Sequence, residues 1–343
     1  MEEVGMEKIR IAQIGVCHEH ASGKIIALRR LSALYEIVGV VDDNRTSRTP
    51  KFAGSNLGPY EGLAWLTEDE VLNRPDIQAV VVEVPNNELV PVALRCMERN
   101  LPMHMDKPAG EDLALYRKLL DGCRERNLPF QMGYMFRGNP AFQFCIRAVR
   151  EKLIGDVFEI EADMNHCYGG EEYQGYIGKF PGGIMYNLGC HLIDFVLAAM
   201  GRPENVTPFL HSAPQDPDSI RNNCMAVLEY PHAIVTLRSC SRDSAKNDRR
   251  VKISGTAGSL IFSPVERFDG KPVEIALTLA KDSGSFPAGK HTLRFPPQAD
   301  RYENQFIELA KILRGEMKNP YSYEHDYLVH EVTLAAAGYT KWR

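Results

Sequence analysis

The sequence predicts the α/β class: an N-terminal doubly wound parallel sheet, then a C-terminal α/β domain with a large open sheet of mixed or antiparallel strands. In residues 1–130, short runs of β-branched residues alternate with amphipathic segments, which is typical of parallel strands joined by crossover helices. In residues 131–343, alternating strand patterns follow one another with fewer helices between them. We therefore predict one domain over residues 1–130 and a second over residues 131–343.

Composition limits the classes of function. The 343 residues fit two domains, and the net charge of -5 argues against general affinity for nucleic acid. The N-terminal residues lack the apolar core of a signal peptide, and no apolar run is long enough to cross a bilayer. The eight cysteines are scattered without a C-x-x-C pair, as in reduced thiols. We expect a cytoplasmic protein that binds neither nucleic acid nor membranes.

The first 42 residues predict a β-α-β unit. Lys8–Gly15 is a buried strand, His20–Leu34 has helical spacing, and Tyr35–Val41 is a second strand that ends in an acid. This arrangement is that of a Rossmann domain, in which the N-terminus of the helix binds a pyrophosphate and the acid binds a ribose. The candidate cofactor-binding residues here are Gly15, Val16, Cys17, His18 and Asp42.

The turn of this unit departs from the glycine-rich pattern. It reads G-V-C-H-E-H, so Cys17 and His20 stand where the other two glycines are expected. A β-α-β unit without a nucleotide is therefore an alternative. Asp42 favours NAD over NADP, because a carboxylate repels a 2′-phosphate. Arg45 and Arg48 could argue the other way, but we interpret them as loop cations.

Two later strand ends carry further candidates, since ligands of such sheets bind at the carboxyl ends of the strands. The strand Ile77–Val84 is followed by Pro85 and Asn86, and the strand Pro102–Asp106 leads directly into Lys107. We expect Pro85, Asn86 and Asp106 to contact the cofactor. Lys107 is placed to reach a ligand; the alternative is a surface lysine.

A third candidate segment is Pro181–Phe195. If Met185–Met200 is a helix, then Asn187, His191 and Asp194 share one of its faces, among enough apolar residues to bury it. A buried helix that presents an amide, an imidazole and a carboxylate is a candidate site. The alternative is a core helix whose histidine has only a structural role.

Two of these segments together resemble the Gfo/Idh/MocA family, the glucose–fructose oxidoreductase and inositol dehydrogenase group. That family has an E-K-P motif after a Rossmann strand and a later D-x-G-x-H-x-x-D motif. This chain has M-D-K-P at residues 105–108 and N-x-G-x-H-x-x-D at residues 187–194. The segments V-G-V-V-D-D at 38–43 and P-N-N at 85–87 extend the resemblance over nearly the whole chain.

The resemblance implies a nicotinamide cofactor, a sugar or cyclitol substrate, and roles for single residues. Lys107 contacts the reacting hydroxyl, His191 transfers its proton, and Asp106 lies near the nicotinamide ribose. The hydroxyl would lie between Lys107 and His191. Asn187 takes the place of the family's aspartate, and because it is neutral it cannot share a proton with His191.

Substrate contacts are expected from the second domain. By the same resemblance Arg137 faces the substrate, with a structural ion pair as the alternative. Cys167–Gly183 is predicted to be a long, glycine- and tyrosine-rich loop, in which Tyr176 and Lys179 could bind a sugar. The alternative for this loop is a subunit contact. No spacing of histidines and cysteines supports a metal site, so we expect none.

Three functions remain open at this stage. The first is an NAD-dependent oxidoreductase that acts on a secondary alcohol of a sugar, glycoside or cyclitol. The second is an NAD-assisted glycoside hydrolase that works by transient ring oxidation and elimination. The third is a catalytically weak sensor or partner subunit that binds NAD or a sugar. The open sheet needs a cover, so we also expect a homodimer or homotetramer formed through it.

Overall fold

A computed structural model describes residues 7–42, 57–244 and 249–343. The chain divides into two compact units: Met1–Tyr134 with Asp300–Tyr327, and Met135–Ala299 with Leu328–Arg343. The division predicted from the sequence differs in residues 131–134 and 300–327, which belong to the first unit. The reason is packing, because Tyr302 and Phe306 lie in the same buried cluster as residues of the first strands.

The order of elements alternates strands and helices in the first unit and is dominated by strands in the second. The strands are β1 (Ile9–Ile14), β2 (Tyr35–Val41), β3 (Trp65–Leu66), β4 (Ala79–Val82), β5 (Met103–Met105), β6 (Phe130–Met132), β7 (Val157–Asp163), β8 (Asn205–His211), β9 (Asn223–Tyr230), β10 (Ala233–Cys240), β11 (Arg250–Gly255), β12 (Gly258–Phe262), β13 (Val273–Leu279) and β14 (Gly289–Phe295). The helices are α1 (Ala21–Arg30), α2 (Glu68–Asn73), α3 (Leu89–Glu98), α4 (Leu113–Glu125), α5 (Pro140–Arg150), α6 (Gly170–Ile177), α7 (Cys190–Met200), α8 (Glu303–Leu313) and α9 (Tyr323–Ala336).

The first unit is a parallel six-stranded sheet in the order β3-β2-β1-β4-β5-β6. The four residues of β4 are all buried, which explains their uninterrupted apolar sequence. Helices α3 and α4 pack on each other, and α1 packs on α8. The predicted doubly wound Rossmann fold is confirmed. This strand order reverses between β1 and β4, where ligands of such sheets bind.

Gly15 makes the turn after β1 possible. Its φ is +99°, and a Cβ on it would lie 2.6 Å from the carbonyl carbon of Glu83 at the end of the neighbouring strand. Only glycine combines this backbone conformation with such a close approach. The turn is therefore pressed against the end of β4, and its following residues are directed over the strand ends.

The second unit is built on an eight-stranded sheet in the order β14-β13-β12-β11-β7-β10-β9-β8. Strands β7 and β10 are parallel and the other pairs are antiparallel, which confirms the predicted mixed sheet. Burial alternates along β10: Val235 and Leu237 are buried, whereas Ile234 is 58% exposed. Strands β8, β13 and β14 were not predicted; β8 and β14 lie at the two edges of the sheet, and β13 pairs with β14.

The predicted helix Met185–Met200 is divided in two. Met185–Gly189 forms a π-helical turn, and the α-helix α7 begins at Cys190. The prediction that residues 167–183 form a loop is wrong in part, since they contain α6. Among the described residues, none of the helices combines the length and the apolar character needed to cross a membrane.

Candidate functional site

Charged side chains are buried where β4 and β5 of the first unit end. The Lys24 ammonium lies 2.8 Å from Glu83 Oε1 and 2.6 Å from Asp106 Oδ2, and all three side chains are fully buried. His18 and His20 of the turn after β1 complete this group. We call these five residues the strand-tip cluster. Buried charges are tolerated only when they are paired, and here the Lys24 ammonium is paired with the two acids.

The two histidines of the strand-tip cluster have different partners. His18 Nε2 lies 3.0 Å from Asn86 Oδ1, while its Nδ1 accepts the backbone N–H of His20 at 3.2 Å. This pattern places the proton of a neutral His18 on Nε2. His20 Nδ1 lies 3.0 Å from Asp106 Oδ2, so the carboxylate orients the second ring. Asp106 thereby joins the turn after β1 to the end of β5.

Burial and neighbouring charges shift the pKa values of the groups in this cluster in different directions. Burial lowers the pKa of His18 to about 4, so the ring is neutral at pH 7. Burial opposes ionisation of Asp106, but His18, Lys24 and His20 outweigh it and hold its pKa well below the ordinary value. Burial raises the pKa of Glu83 well above its ordinary value, against the pull of Lys24. Of the two acids, Asp106 carries the charge and Glu83 binds a proton more readily.

Lys107 follows directly after this cluster and is also fully buried, so it is not a surface lysine. Its backbone N–H donates to Asp106 Oδ1 at 2.6 Å, and its Nζ donates to Glu19 Oε1 at 3.4 Å. Burial opposes ionisation of Glu19, but the Lys107 ammonium and then His20 outweigh it and lower the pKa of Glu19 to about 2. The backbone N–H and the side-chain Nζ of Lys107 thus each donate a hydrogen bond to a carboxylate of the first unit.

The first unit fits a dinucleotide at the predicted positions. The strand order is that of the Rossmann fold, and Gly15 gives the close backbone turn. Asp42 is half-buried at the end of β2, where it can accept hydrogen bonds from a ribose. Val16 and Asn86 are buried, and Cys17 and Pro85 are half-buried. Arg45 and Arg48 lie outside the described residues.

A metal ion is the other ligand that this chemistry suggests. Ligand atoms of His18, His20 and Asp106 lie within 4.8 Å of one another. However, the Lys24 ammonium already contacts Asp106 Oδ2 at 2.6 Å, so a cation balances the carboxylate without a metal. The expectation of no metal stays a prediction, which metal analysis of the purified protein would test.

In the second unit the side chain of His191 is nearly fully buried. Its Nδ1 accepts the backbone N–H of Met135 at 3.4 Å, and its ring centroid lies 5.9 Å from that of Phe136. Asn187 Nδ2 donates to the Tyr173 hydroxyl at 3.2 Å. Asn187 belongs to the π-helical turn and His191 to the first turn of α7, so the regular spacing assumed from the sequence does not apply across them.

Arg137 forms a buried ion pair. Its Nη2 lies 2.6 Å and its Nε 3.1 Å from Asp194 Oδ1, and both side chains are about 2% exposed. This arrangement is the structural ion pair that stood as the alternative to a substrate contact, and the substrate contact of Arg137 stays a prediction. Tyr176 is half-buried in α6, Lys179 is exposed after it, and their roles also stay predictions.

The predicted residues are thus brought together in two groups. The first unit brings together His18, Asn86, Asp106 and Lys107 at the strand ends. The second unit holds Asn187 and His191 in consecutive turns. Of the three predicted catalytic residues, Lys107 belongs to the first unit, whereas Asn187 and His191 belong to the second.

Sequence reasoning missed Lys24, Glu83 and Glu19. The signals were present, because Glu83 interrupts the apolar run V-V-V-E-V and Lys24 stands on the buried face of α1 beside Ile25 and Leu28. A charge at a position that the apolar pattern buries indicates an internal partner.

Comparison with known proteins covers both units. Residues 9–134 match the model of an oxidoreductase family with an NAD-binding Rossmann fold, and residues 142–261 match the GFO/IDH/MocA C-terminal domain. The trans-1,2-dihydrobenzene-1,2-diol dehydrogenase of Xenopus tropicalis is 26% identical over 214 residues, 59% of this chain and 62% of that protein. The rhizopine catabolism protein MocA of Rhizobium meliloti is 25% identical over 202 residues, 56% of this chain and 60% of that protein. The chain therefore spans less than two thirds of both relatives.

Among solved structures, a 3-ketoreductase of Actinomadura kijaniata in complex with TDP-benzene and NADP has a TM-score of 0.72 and 17% identity, with 96% of both chains covered. At that identity the similarity shows the fold alone.

Proposed function

Because the chain belongs to the Gfo/Idh/MocA family of oxidoreductases, we propose that it is an NAD-dependent enzyme that oxidises or reduces a secondary alcohol of a sugar, glycoside or cyclitol. The observation that carries the proposal is Lys107, a buried lysine at the end of β5 whose backbone and side chain are both held by carboxylates. A buried ammonium in that position can stabilise an oxygen on which negative charge develops.

The residues of the chain have distinct tasks in the proposed reaction. The bound nicotinamide supplies the chemistry of hydride transfer. Lys107 stabilises the developing alkoxide by its positive charge, and His191 accepts the hydroxyl proton. Asp106 orients Lys107 through its backbone N–H. Asn187 donates a hydrogen bond to the Tyr173 hydroxyl and can position groups in this way. Because its side chain carries no charge, it cannot share a proton with His191.

The cofactor would be held by the first unit. Gly15, Val16, Cys17 and His18 line the turn over the strand ends, and Asp42 would bind the adenosine ribose. The half-buried carboxylate of Asp42 favours NAD over NADP, because it repels a 2′-phosphate. The structurally similar 3-ketoreductase is in complex with NADP, so the binding of NAD and of NADP should be compared directly.

The substrate class follows from the relatives by analogy. One relative is named as a dehydrogenase of a cyclic vicinal diol. A ring that carries neighbouring hydroxyls is common to that diol and to sugars and cyclitols. We therefore propose that the substrate presents such a ring, with Tyr176 and Lys179 of the second unit as further contacts.

The first experiment identifies the cofactor and the reaction together. The protein is purified and denatured, and any released nucleotide is identified by mass spectrometry. The native protein is then screened with sugars, glycosides and cyclitols plus NAD or NADP, for reduced nicotinamide and for bond cleavage. Steady formation of reduced cofactor supports the proposal. Release of an aglycone without net reduced cofactor supports the hydrolase instead, and binding without turnover supports the sensor.

We also propose a homodimer or homotetramer through the exposed face of the eight-stranded sheet. Three large apolar side chains of this face are exposed: Phe209 by 42%, Ile234 by 58% and Ile261 by 41%. The strand register places them on the same side as the charged residues of β7. Substitution Ile234→Glu should convert the oligomer to a monomer in sedimentation analysis. A wild-type monomer at micromolar concentration would refute the proposal.

A further inference from the structure

Glu19 has no task in the reaction described so far, although its position is unusual. It lies in the turn between β1 and α1, at a position that the glycine-rich pattern leaves variable. Its side chain is only 15% exposed and directed inward, with Oε1 3.4 Å from Lys107 Nζ and 3.6 Å from His20 Nε2. The burial of an ionised carboxylate in this turn therefore requires an explanation.

The need for such a carboxylate follows from the burial of Lys107. A fully buried amine without a counter-charge loses its proton readily, because burial disfavours the charged form. A neutral amine could no longer stabilise an alkoxide by charge. Asp106 cannot meet this need by itself, since its oxygens already receive the Lys24 ammonium, the His20 ring and the Lys107 backbone N–H.

We propose that Glu19 is a positioning residue, which keeps the Lys107 side chain positively charged and fixes the direction of its ammonium. The proposal rests on the role given to Lys107 in the proposed function. It gives the acidic residue of the G-V-C-H-E-H turn a task in catalysis. The G-V-C-H-E-H turn then serves two purposes. Gly15 allows the backbone to approach the end of β4 closely, and Glu19 keeps the Lys107 side chain charged.

The charged groups around Glu19 support the proposal that it stabilises the charged form of Lys107. The charged and titratable groups that act on it are Lys107, His20, His18 and Asp106. Lys107 is the largest of the influences that lower the pKa of Glu19 to about 2, although burial acts against it. Because the interaction between two charges is mutual, the carboxylate favours the charged form of Lys107 in the same measure.

The test measures the proton on Lys107 directly and needs no substrate. The wild type and Glu19→Gln are prepared with lysine labelled with carbon-13 at Cε, and the Lys107 signal is assigned by its absence in Lys107→Arg. We expect the midpoint of the Lys107 titration to fall by about one pH unit or more in Glu19→Gln. Glu68→Gln is the matched control, because it removes a carboxylate from the exposed pair with Arg95 of the same unit.

An unchanged Lys107 midpoint in Glu19→Gln would overturn the proposal. If that variant does not fold, Glu19→Asp carries the test, since withdrawing the carboxylate by one methylene should lower the midpoint by a smaller amount, and an unchanged midpoint there would overturn it equally. With a substrate in hand, Glu19→Gln should lower kcat more than it raises KM and move the alkaline limb of the kcat profile to lower pH. Near-normal turnover of Lys107→Ala would instead remove the proposed function, while the titration result would stand.

Discussion

The strand-tip cluster of the first unit and the surroundings of His191 in the second are equally buried, but their polar groups are compensated in different ways. In the first, Lys24 is in direct contact with Glu83 and Asp106, so charge is compensated by charge. In the second, His191 accepts a backbone N–H and lies near the ring of Phe136, and Asn187 is paired with a tyrosine hydroxyl. Charged side chains thus compensate one another in the strand-tip cluster, whereas His191 and Asn187 form hydrogen bonds with neutral groups.

The largest effect on stability is expected from Lys24→Met, which breaks the charge compensation. The substitution keeps the apolar stem but leaves the Asp106 carboxylate buried without its ammonium. Removing one partner of a buried pair costs about 3–5 kcal/mol, and we expect a loss of that size in urea unfolding. In the control Arg95→Met, which breaks the exposed pair with Glu68, the loss should stay within about 1 kcal/mol. Equal losses in the two variants would remove the distinction between them.

The second effect is a dependence of stability on pH. His18 has a pKa of about 4 in the folded chain against an ordinary value of 6.5. Between these values the unfolded chain binds a proton that the buried ring does not, so stability rises with pH from about 4 to 6.5. The contribution over this window is about 3 kcal/mol. Unfolding by urea at several pH values should show this slope in the wild type.

His18→Gln should flatten that slope between pH 4 and 6.5, whereas substitution of the exposed His232 by Gln should leave it as in the wild type. A slope that survives in His18→Gln would assign the pH dependence to another part of the molecule and would weaken the contrast between the two regions.

The smallest effect is expected at the hydrogen bond between Asn187 and Tyr173 in the second unit. Tyr173→Phe removes the hydroxyl that accepts from Asn187 and should cost about 1 kcal/mol, the worth of a neutral hydrogen bond. A double-mutant cycle with Asn187→Leu isolates this term, and the coupling measured by urea unfolding should be about 1 kcal/mol. A coupling of several kcal/mol would show that the contact between Asn187 and Tyr173 is not an ordinary neutral hydrogen bond.

The sequence predicted the sheet of the first unit because its strands are short apolar runs between amphipathic helices. β2 was predicted with the observed bounds. It did not place residues 300–327 with this unit, because α8 packs on α1 through contacts between residues far apart in the chain, which periodicity does not report. The π-helical turn at Met185–Gly189 was missed for a similar reason, since its sequence has ordinary helical spacing.

Only some residues of the strand-tip cluster were named from the sequence, and its electrostatics were not predicted. His18 and Asp106 were expected as cofactor contacts, and the structure brings them within 3.4 Å of each other. Lys24 was read as one residue of an amphipathic helix, and its role depends on the ends of β4 and β5, which the sequence does not place around it. Local pattern indicates that a charged residue is buried, but only the fold shows which partner compensates it.

The central claim is that Lys107 supplies positive charge to the alcohol being oxidised. The most direct measurement is the rate of reduced nicotinamide formation by the wild type and by Lys107→Ala, with the best substrate from the screen and with cofactor binding measured on both. We predict that turnover falls by about a hundredfold or more while the cofactor still binds. Turnover of Lys107→Ala close to that of the wild type would contradict the claim.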